Sequence, residues 1–75
     1  MFTEINNCLY AKYQFKNFVE AFGFMSKVAL LAEAANHHPT FKNTYNTVEI
    51  WLTTHDAGNT VTEKDSLLAR QIEEL

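Results

Sequence analysis

Three histidines are the residues of this 75-residue chain best suited to acid–base chemistry. His37 and His38 are adjacent in the stretch AEAANHHPTF, and His55 follows in TTHDAG. An unperturbed imidazole titrates at about pH 6.5, so histidines can both donate and accept protons at neutral pH. A positioned acid–base group accelerates a proton-coupled step by roughly 10²–10⁴-fold. The histidines therefore predict a site for proton transfer, provided that the fold brings them together.

Two side chains near the histidine pair indicate what such a site would bind. Glu33 precedes His37 by one helical turn, where its carboxylate is expected to hydrogen-bond a ring nitrogen and fix the tautomer. Phe41 offers an aromatic wall for a flat ring. The sequence has no glycine-rich phosphate loop, and its one cysteine, Cys8, is predicted to lie on a distant hairpin. The pattern predicts a pocket for a planar, polar heterocycle that undergoes proton transfer.

The first half of the chain predicts a β-hairpin followed by a long helix. LYAKYQF alternates apolar and polar residues as a half-buried strand does, and EINN before it supplies a short strand and a turn. Asn17 and Glu20 are typical of a helix start. Pro39 ends the helix, because the residue before a proline is disfavoured in helical conformation. The apolar spacing predicts one buried helix face, formed by Phe18, Phe22, Met25, Ala29 and Ala32.

The second half predicts another hairpin and a last helix. TFKNTY and TVEIWLTT read as strands joined by a tight turn around Asn46, and Thr62 with Asp65 resembles an N-terminal helix box. The apolar residues of these elements define the expected core: Val48, Ile50, Leu52, Leu68, Ile72 and Leu75. The element order β-β-α-β-β-α predicts an α+β two-layer sandwich.

Chain direction predicts that the third histidine joins the other two. The long helix leaves His37 and His38 at one edge of the domain, and the next strand runs away from that edge. The following strand returns antiparallel, which places His55 at the edge where it started. This expectation depends on the second hairpin.

Composition excludes several classes of function. The formal net charge of −3 and pI of about 5.5 argue against non-specific nucleic-acid binding, which needs a basic face. The apolar runs are too short to span a bilayer, and the chain opens without the features of a signal peptide. A single cysteine fits a reducing compartment. We expect a cytoplasmic protein that binds a small molecule, with no nucleic-acid or membrane partner.

Three stretches of the chain together carry a family resemblance. The pattern E-x-x-x-H-H-P-x-F from Glu33 to Phe41 is followed by LTTHD and by VTEKDSLLARQIE. From about Leu9 to the C-terminus the chain resembles the pterin-4a-carbinolamine dehydratases (4a-hydroxytetrahydrobiopterin dehydratases). This resemblance implies a four-stranded antiparallel sheet with helices on one face. It also implies a single domain over residues 1–75, lacking the helix that family members usually have before the first hairpin.

The resemblance implies an activity and the residues responsible for it. The expected reaction is dehydration of 4a-hydroxytetrahydropterin to quinonoid dihydropterin, in tetrahydrobiopterin recycling, without metal or organic cofactor. Phe41 stands where tryptophan is common in the family, and the loop DAGNTVT is one residue longer than in the animal enzymes. The implied catalytic residues are His37, His38 and His55. The implied substrate-binding residues are Glu33, Pro39, Phe41 and Asp65.

Other interpretations of the same residues remain open at this point. The adjacent histidines also suit a helix C-terminus, where positive charge is favoured, and Asp65 suits a helix cap. Glu33 and the three histidines are plausible zinc ligands by type. A non-enzymatic docking or dimerisation module of the same fold is a further alternative. Trp51 is predicted on the sheet face that the helices leave open, so we also expect a homodimer or homotetramer.

Overall fold

Four strands and two α-helices follow one another in the order β-β-α-β-β-α in the computed structural model, which describes all of residues 1–75. The strands form one antiparallel sheet in the order β1-β2-β4-β3. A single turn of 3-10 helix, His55–Ala57, follows β4. The predicted α+β fold class is confirmed. The elements are β1 Thr3–Ile5, β2 Cys8–Gln14, α1 Phe18–Ala35, β3 Thr40–Thr44, β4 Thr47–Leu52 and α2 Glu63–Glu73.

The central strand β4 separates the covered face of the sheet from the open face. Val48, Ile50 and Leu52 are completely buried and pack in one cluster with residues of both helices, as their alternation predicted. Trp51 points to the opposite face and is half-buried, because the ring of Tyr10 lies 5.2 Å from it, centroid to centroid. Both helices therefore cover the same face of the sheet.

Helix α1 begins as its sequence predicts but buries a different face. The Asn17 side chain accepts a hydrogen bond from the Glu20 N–H at 2.9 Å, which is the expected N-cap. The prediction that Phe18, Phe22 and Ala29 are buried is wrong, since all three are exposed, Phe18 by 47% and Phe22 by 54%. The buried residues of α1 are Ala21, Val28 and Ala32.

The predicted face of α1 was wrong because the helix has more than one apolar stripe. Helix α1 has apolar residues around most of its circumference, so spacing alone does not identify the face that meets the sheet. Phe24 and Met25 pack against the core beside the small residue Ala21, which allows the helix to lie close to β4.

No helix in the structure is sufficiently long and apolar to cross a membrane.

Helix α2 is anchored by the predicted box at its start. Thr62 accepts from the Asp65 N–H, and the Asp65 side chain accepts from the Thr62 N–H at 2.9 Å. Leu68 and Ile72 are buried as expected. Leu75 is 51% exposed, because α2 ends before it, and its predicted place in the core is wrong.

The second hairpin, β3 and β4, returns the chain to the edge of the domain where α1 ends. Tyr45 and Asn46 form the turn between β3 and β4, and Tyr45 adopts a positive φ of 51°. The Asn46 side chain donates to the Phe15 carbonyl at 3.0 Å, which ties the turn to the end of β2. The end of β4 therefore lies beside the C-terminal end of α1, as the chain direction predicted.

Candidate active site

One polar cavity lies where α1 ends, β4 ends and α2 begins. Its volume is about 250 Å³, and no hydrophobic side chain lines it. All three histidines line this cavity, as the chain direction predicted. Their catalytic roles remain a prediction. The lining residues are Asn36, His37, His38, Thr53, Thr54, His55, Asp56 and Lys64.

The end of α1 turns His37 toward helix α2. Asn36 is in the left-handed region (φ 51°), which closes the helix, and the His37 N–H donates back to the Ala32 carbonyl at 3.0 Å. The His37 Nε2 lies 2.5 Å from the Asp65 Oδ1, and the ring is 11% exposed. A carboxylate can only accept, so Nε2 carries the hydrogen and Nδ1 is the ring nitrogen left for other partners.

The predicted contact between Glu33 and His37 is wrong. Glu33 instead contacts the neighbouring ring, with its Oε1 2.8 Å from the His38 Nε2. The reason is the left-handed Asn36, which breaks the one-turn spacing on which the prediction relied. The pair is open to solvent, with side chains 57% and 81% exposed for His38 and Glu33. Such an exposed pair holds its ring only weakly.

Asp65 lies underneath the cavity instead of at its surface. Its residue is 0% exposed, and its Oδ2 accepts from the Thr54 hydroxyl at 2.6 Å and from the Thr62 N–H at 2.9 Å. Burial by itself raises the pKa of Asp65, but the hydrogen bonds from Thr54, His37 and Thr62 outweigh it and hold the pKa below its ordinary value. A direct substrate contact, implied for Asp65 by the family resemblance, does not fit this burial.

The lowered pKa of Asp65 has a consequence for stability in acid. A carboxyl group whose folded pKa is depressed contributes stability above its unfolded pKa, and this contribution is lost as the pH falls through the folded pKa. The ordinary pKa of an aspartate is 3.8. We therefore expect the difference in unfolding free energy between the wild type and Asp65→Asn to narrow as the pH falls from about 5 to below that value. Denaturant titrations at several pH values measure this difference, and a gap that widens toward acid would contradict it.

His55 opens the 3-10 turn that follows β4. Its Nδ1 lies 2.9 Å from the Asn59 side-chain Oδ1, while its Nε2 makes no hydrogen bond within the chain. Thr54, the preceding residue, is buried beneath the cavity and also holds Asp65. The loop that positions His55 is thus joined to the network that holds His37.

Pro39 and Phe41 lie outside the lining of the cavity. Pro39 is half-buried. Phe41 pairs with Ile50 across the β3–β4 ladder and packs against the core. The aromatic wall that the sequence predicted at Phe41 is therefore not part of this cavity. The reason is strand register, since Phe41 shares the covered sheet face with Ile50.

Sequence reasoning missed several side chains that line or support the cavity. Asn36 follows the helix as its left-handed cap, and Lys64 lies in the first turn of α2. Thr54 and Asn59 hold Asp65 and His55. The stretch TTHDAGN contained a signal for Thr54 and Asn59, because threonine and asparagine side chains close to a histidine in sequence are candidate hydrogen-bond partners.

The zinc interpretation finds no ligand set in the structure. Nowhere in the chain are three histidine, cysteine, aspartate or glutamate side chains grouped so that they could hold one metal ion. The Nε2 atoms of His37 and His38 contact two different carboxylates.

Comparison with known proteins identifies relatives over nearly the whole chain. The family model described as pterin 4 alpha carbinolamine dehydratase matches residues 3–75. A protein from Prochlorococcus marinus (strain NATL2A), provisionally named pterin-4-alpha-carbinolamine dehydratase, is 53% identical over 93% of this chain and 73% of its own length. One of the same provisional name from Solibacter usitatus is 51% identical over 97% of this chain and 76% of its own length. Among the most similar curated relatives the chain spans 62% to 76% of their length.

Two solved structures share the architecture. The transcriptional coactivator/pterin dehydratase from Brucella melitensis superposes with a TM-score of 0.90 at 39% identity, over 97% of this chain and 79% of that one. A pterin dehydratase-like protein, described as a RuBisCO assembly factor in the alpha-carboxysome, superposes with a TM-score of 0.78 over 99% of this chain and 84% of that one. Its identity is 17%, so this second likeness concerns the fold alone.

Proposed function

The chain belongs to the pterin 4 alpha carbinolamine dehydratase family, and we propose that it dehydrates 4a-hydroxytetrahydropterin to quinonoid dihydropterin. The observation that carries this proposal is the convergence of His37, His38 and His55 on one polar cavity, with a buried carboxylate behind His37. In a cell the reaction serves tetrahydrobiopterin recycling, since it returns the hydroxylated pterin to a form that can be reduced.

The reaction needs one proton donor and one proton acceptor. The hydroxyl group on C4a takes a proton and leaves as water, while the proton on the neighbouring N5 is removed and a C4a=N5 double bond forms. The acid loses one proton and the base gains one, so the pair returns to its starting state by exchange with solvent. We assign the acid–base pair to His37 and His55 and the orientation of the pterin to His38.

The contacts of His37 support this assignment. Its Nε2 is held by Asp65, so Nδ1 is the nitrogen free to exchange a proton. The buried carboxylate stabilises an imidazolium, because a charge-assisted hydrogen bond is stronger than a neutral one. His38 has only the exposed Glu33 as a partner, so its ring is less restrained than that of His37.

A direct assay tests the proposed function. The purified chain is mixed with 4a-hydroxytetrahydropterin, and formation of the quinonoid product is followed by absorbance. The expected result is a rate above the uncatalysed dehydration that is proportional to protein concentration. A rate equal to the uncatalysed one at every protein concentration would contradict the proposal.

We further propose that the chain associates with copies of itself. On the open sheet face Trp51 and Tyr10 form an aromatic pair that no helix covers. The outer strands β1 and β3 have unpaired edges, which is a common feature of strands that meet a partner. Association also adds stability to a chain with so small a core.

Replacing Trp51 by glutamate tests this self-association. Trp51→Glu places a charge beside Tyr10 and Glu49 on the open face, so we expect a shift toward smaller species, measured by light scattering at micromolar concentration. Leu30→Glu is the control, because Leu30 is 73% exposed on helix α1, which covers the opposite face of the sheet. A wild-type monomer, or an unchanged oligomer in Trp51→Glu, would contradict the prediction.

A further inference from the structure

Asn59 is the side chain that holds the ring of His55. Both residues are exposed, the Asn59 Oδ1 lies 2.9 Å from the His55 Nδ1, and this is the only hydrogen bond that the ring makes within the chain. An amide oxygen can only accept, so the contact requires the hydrogen of a neutral His55 ring to be on Nδ1. The other ring nitrogen, Nε2, is then left as a proton acceptor.

We propose that Asn59 is a positioning residue that keeps the neutral His55 ring in the tautomer whose Nε2 is free to accept a proton. The kinetic consequence rests on the proposed function, whereas the tautomer itself does not. Asn59 acts through His55 and does not line the cavity.

The backbone of the loop fixes where the Asn59 side chain points. The Asn59 N–H donates to the Thr54 carbonyl at 3.1 Å, and the Gly58 N–H donates to the His55 carbonyl at 3.0 Å. Gly58 and Asn59 both adopt positive φ, 82° and 59°, a conformation that glycine and asparagine tolerate best. The turn from His55 to Asn59 is therefore closed by its own backbone hydrogen bonds, which place the Asn59 side chain beside the ring.

The two candidate catalytic histidines thus have partners of different charge. His37 is held by the Asp65 carboxylate and His55 by a neutral amide. A carboxylate stabilises the imidazolium more than an amide does, which suits His37 to the donor and His55 to the acceptor. The other charged residues that line the cavity, Asp56 and Lys64, form no hydrogen bond or ion pair with either ring.

Two substitutions separate the Asn59 side chain from its backbone. Asn59→Gly removes the acceptor but accepts the positive φ, so the loop conformation is preserved. Asn59→Asp keeps an acceptor oxygen at the same position. Tyr45→Gly is the control, because Tyr45 also has a positive φ, 51°, in the β3–β4 turn at the opposite end of β4 from His55.

Steady-state kinetics measure the effect of Asn59 on catalysis, and ¹⁵N NMR measures the tautomer of His55. We expect Asn59→Gly to lower kcat roughly three- to tenfold with KM little changed, the effect of one lost hydrogen bond. Tyr45→Gly should retain most of the wild-type kcat, whereas Asn59→Asp keeps the acceptor oxygen but adds a negative charge that stabilises the imidazolium, so its kcat should also fall. An unchanged kcat in Asn59→Gly of an active enzyme would overturn the proposal.

The NMR measurement decides the inference without reference to catalysis. In ¹⁵N-labelled protein above the titration range of histidine, the wild type should show a protonated Nδ1 and a bare Nε2 for His55. Asn59→Gly should show a mixture of the two tautomers, and Asn59→Asp should resemble the wild type. A hydrogen located mainly on Nε2 in the wild type would overturn the proposal, even if the chain proved to be an active dehydratase.

Discussion

Alanine at His37 or at His55 is expected to lower kcat by roughly 10²–10⁴-fold, which is the loss typical of a removed acid–base group. Both rings line the cavity and each has one nitrogen held by a neighbour, so each can present the other nitrogen to a substrate. Steady-state kinetics with 4a-hydroxytetrahydropterin measure the change.

His38→Ala provides a control of the same residue type in the same cavity. Its ring is held only by the exposed Glu33, so we expect the substitution to raise KM more than it lowers kcat. Circular dichroism and thermal melting confirm that each variant is folded. Near-normal kcat in both His37→Ala and His55→Ala would remove these residues from the mechanism.

Changing Asp65 to asparagine is the second substitution with a large expected effect. Asp65 Oδ1 faces the His37 Nε2, and Oδ2 faces donors from Thr54 and Thr62. An asparagine must direct its NH₂ group at one of these sides. If the NH₂ group points toward Thr62, it faces the Thr62 N–H, which is also a donor. If it points toward His37, the His37 Nε2 must accept a hydrogen bond, and the ring hydrogen moves to Nδ1.

Either orientation of the asparagine disturbs the site. We expect kcat to fall by roughly 10–10³-fold, because the His37 ring adopts the wrong tautomer or loses its partner. We also expect a loss of about 1–3 kcal/mol in unfolding free energy, the cost of unsatisfied buried groups. Kinetics and denaturant titration of the same preparation measure both effects.

Glu33→Gln is the matched control for Asp65→Asn. It makes the same carboxylate-to-amide change beside a histidine, but its pair with His38 is open to solvent. We expect a change in unfolding free energy of less than about 1 kcal/mol, because exposed ion pairs contribute little. If both substitutions had equal effects on kcat and stability, burial of Asp65 would not matter and the role given to it would be wrong.

The strands and helix boundaries were predictable from the sequence because their signals are local. Alternation marks β4, Asn17 caps α1, and the Thr62–Asp65 box starts α2. The meeting of the three histidines followed from chain direction once the second hairpin was assumed. The buried face of α1 did not follow, because Phe18 and Phe22 are as apolar as the residues that pack inward.

The contacts within the site were harder to predict because they join distant elements. Glu33 was expected to hold His37 by helical spacing, but the left-handed Asn36 ends that spacing and gives Glu33 to His38. The true partner of His37 is Asp65, which lies 28 residues later and reaches the ring only through the docking of α2. The sequence identified Asp65 as a helix cap but did not show that this cap also holds the ring of His37.

The most direct test of the account compares the wild type with the double variant His37→Ala/His55→Ala in a single dehydration assay. We predict that the wild type accelerates conversion of 4a-hydroxytetrahydropterin and that the folded double variant loses at least the roughly 10²–10⁴-fold expected for one acid–base group. A wild type no faster than the uncatalysed reaction, or a double variant as fast as the wild type, would contradict the account.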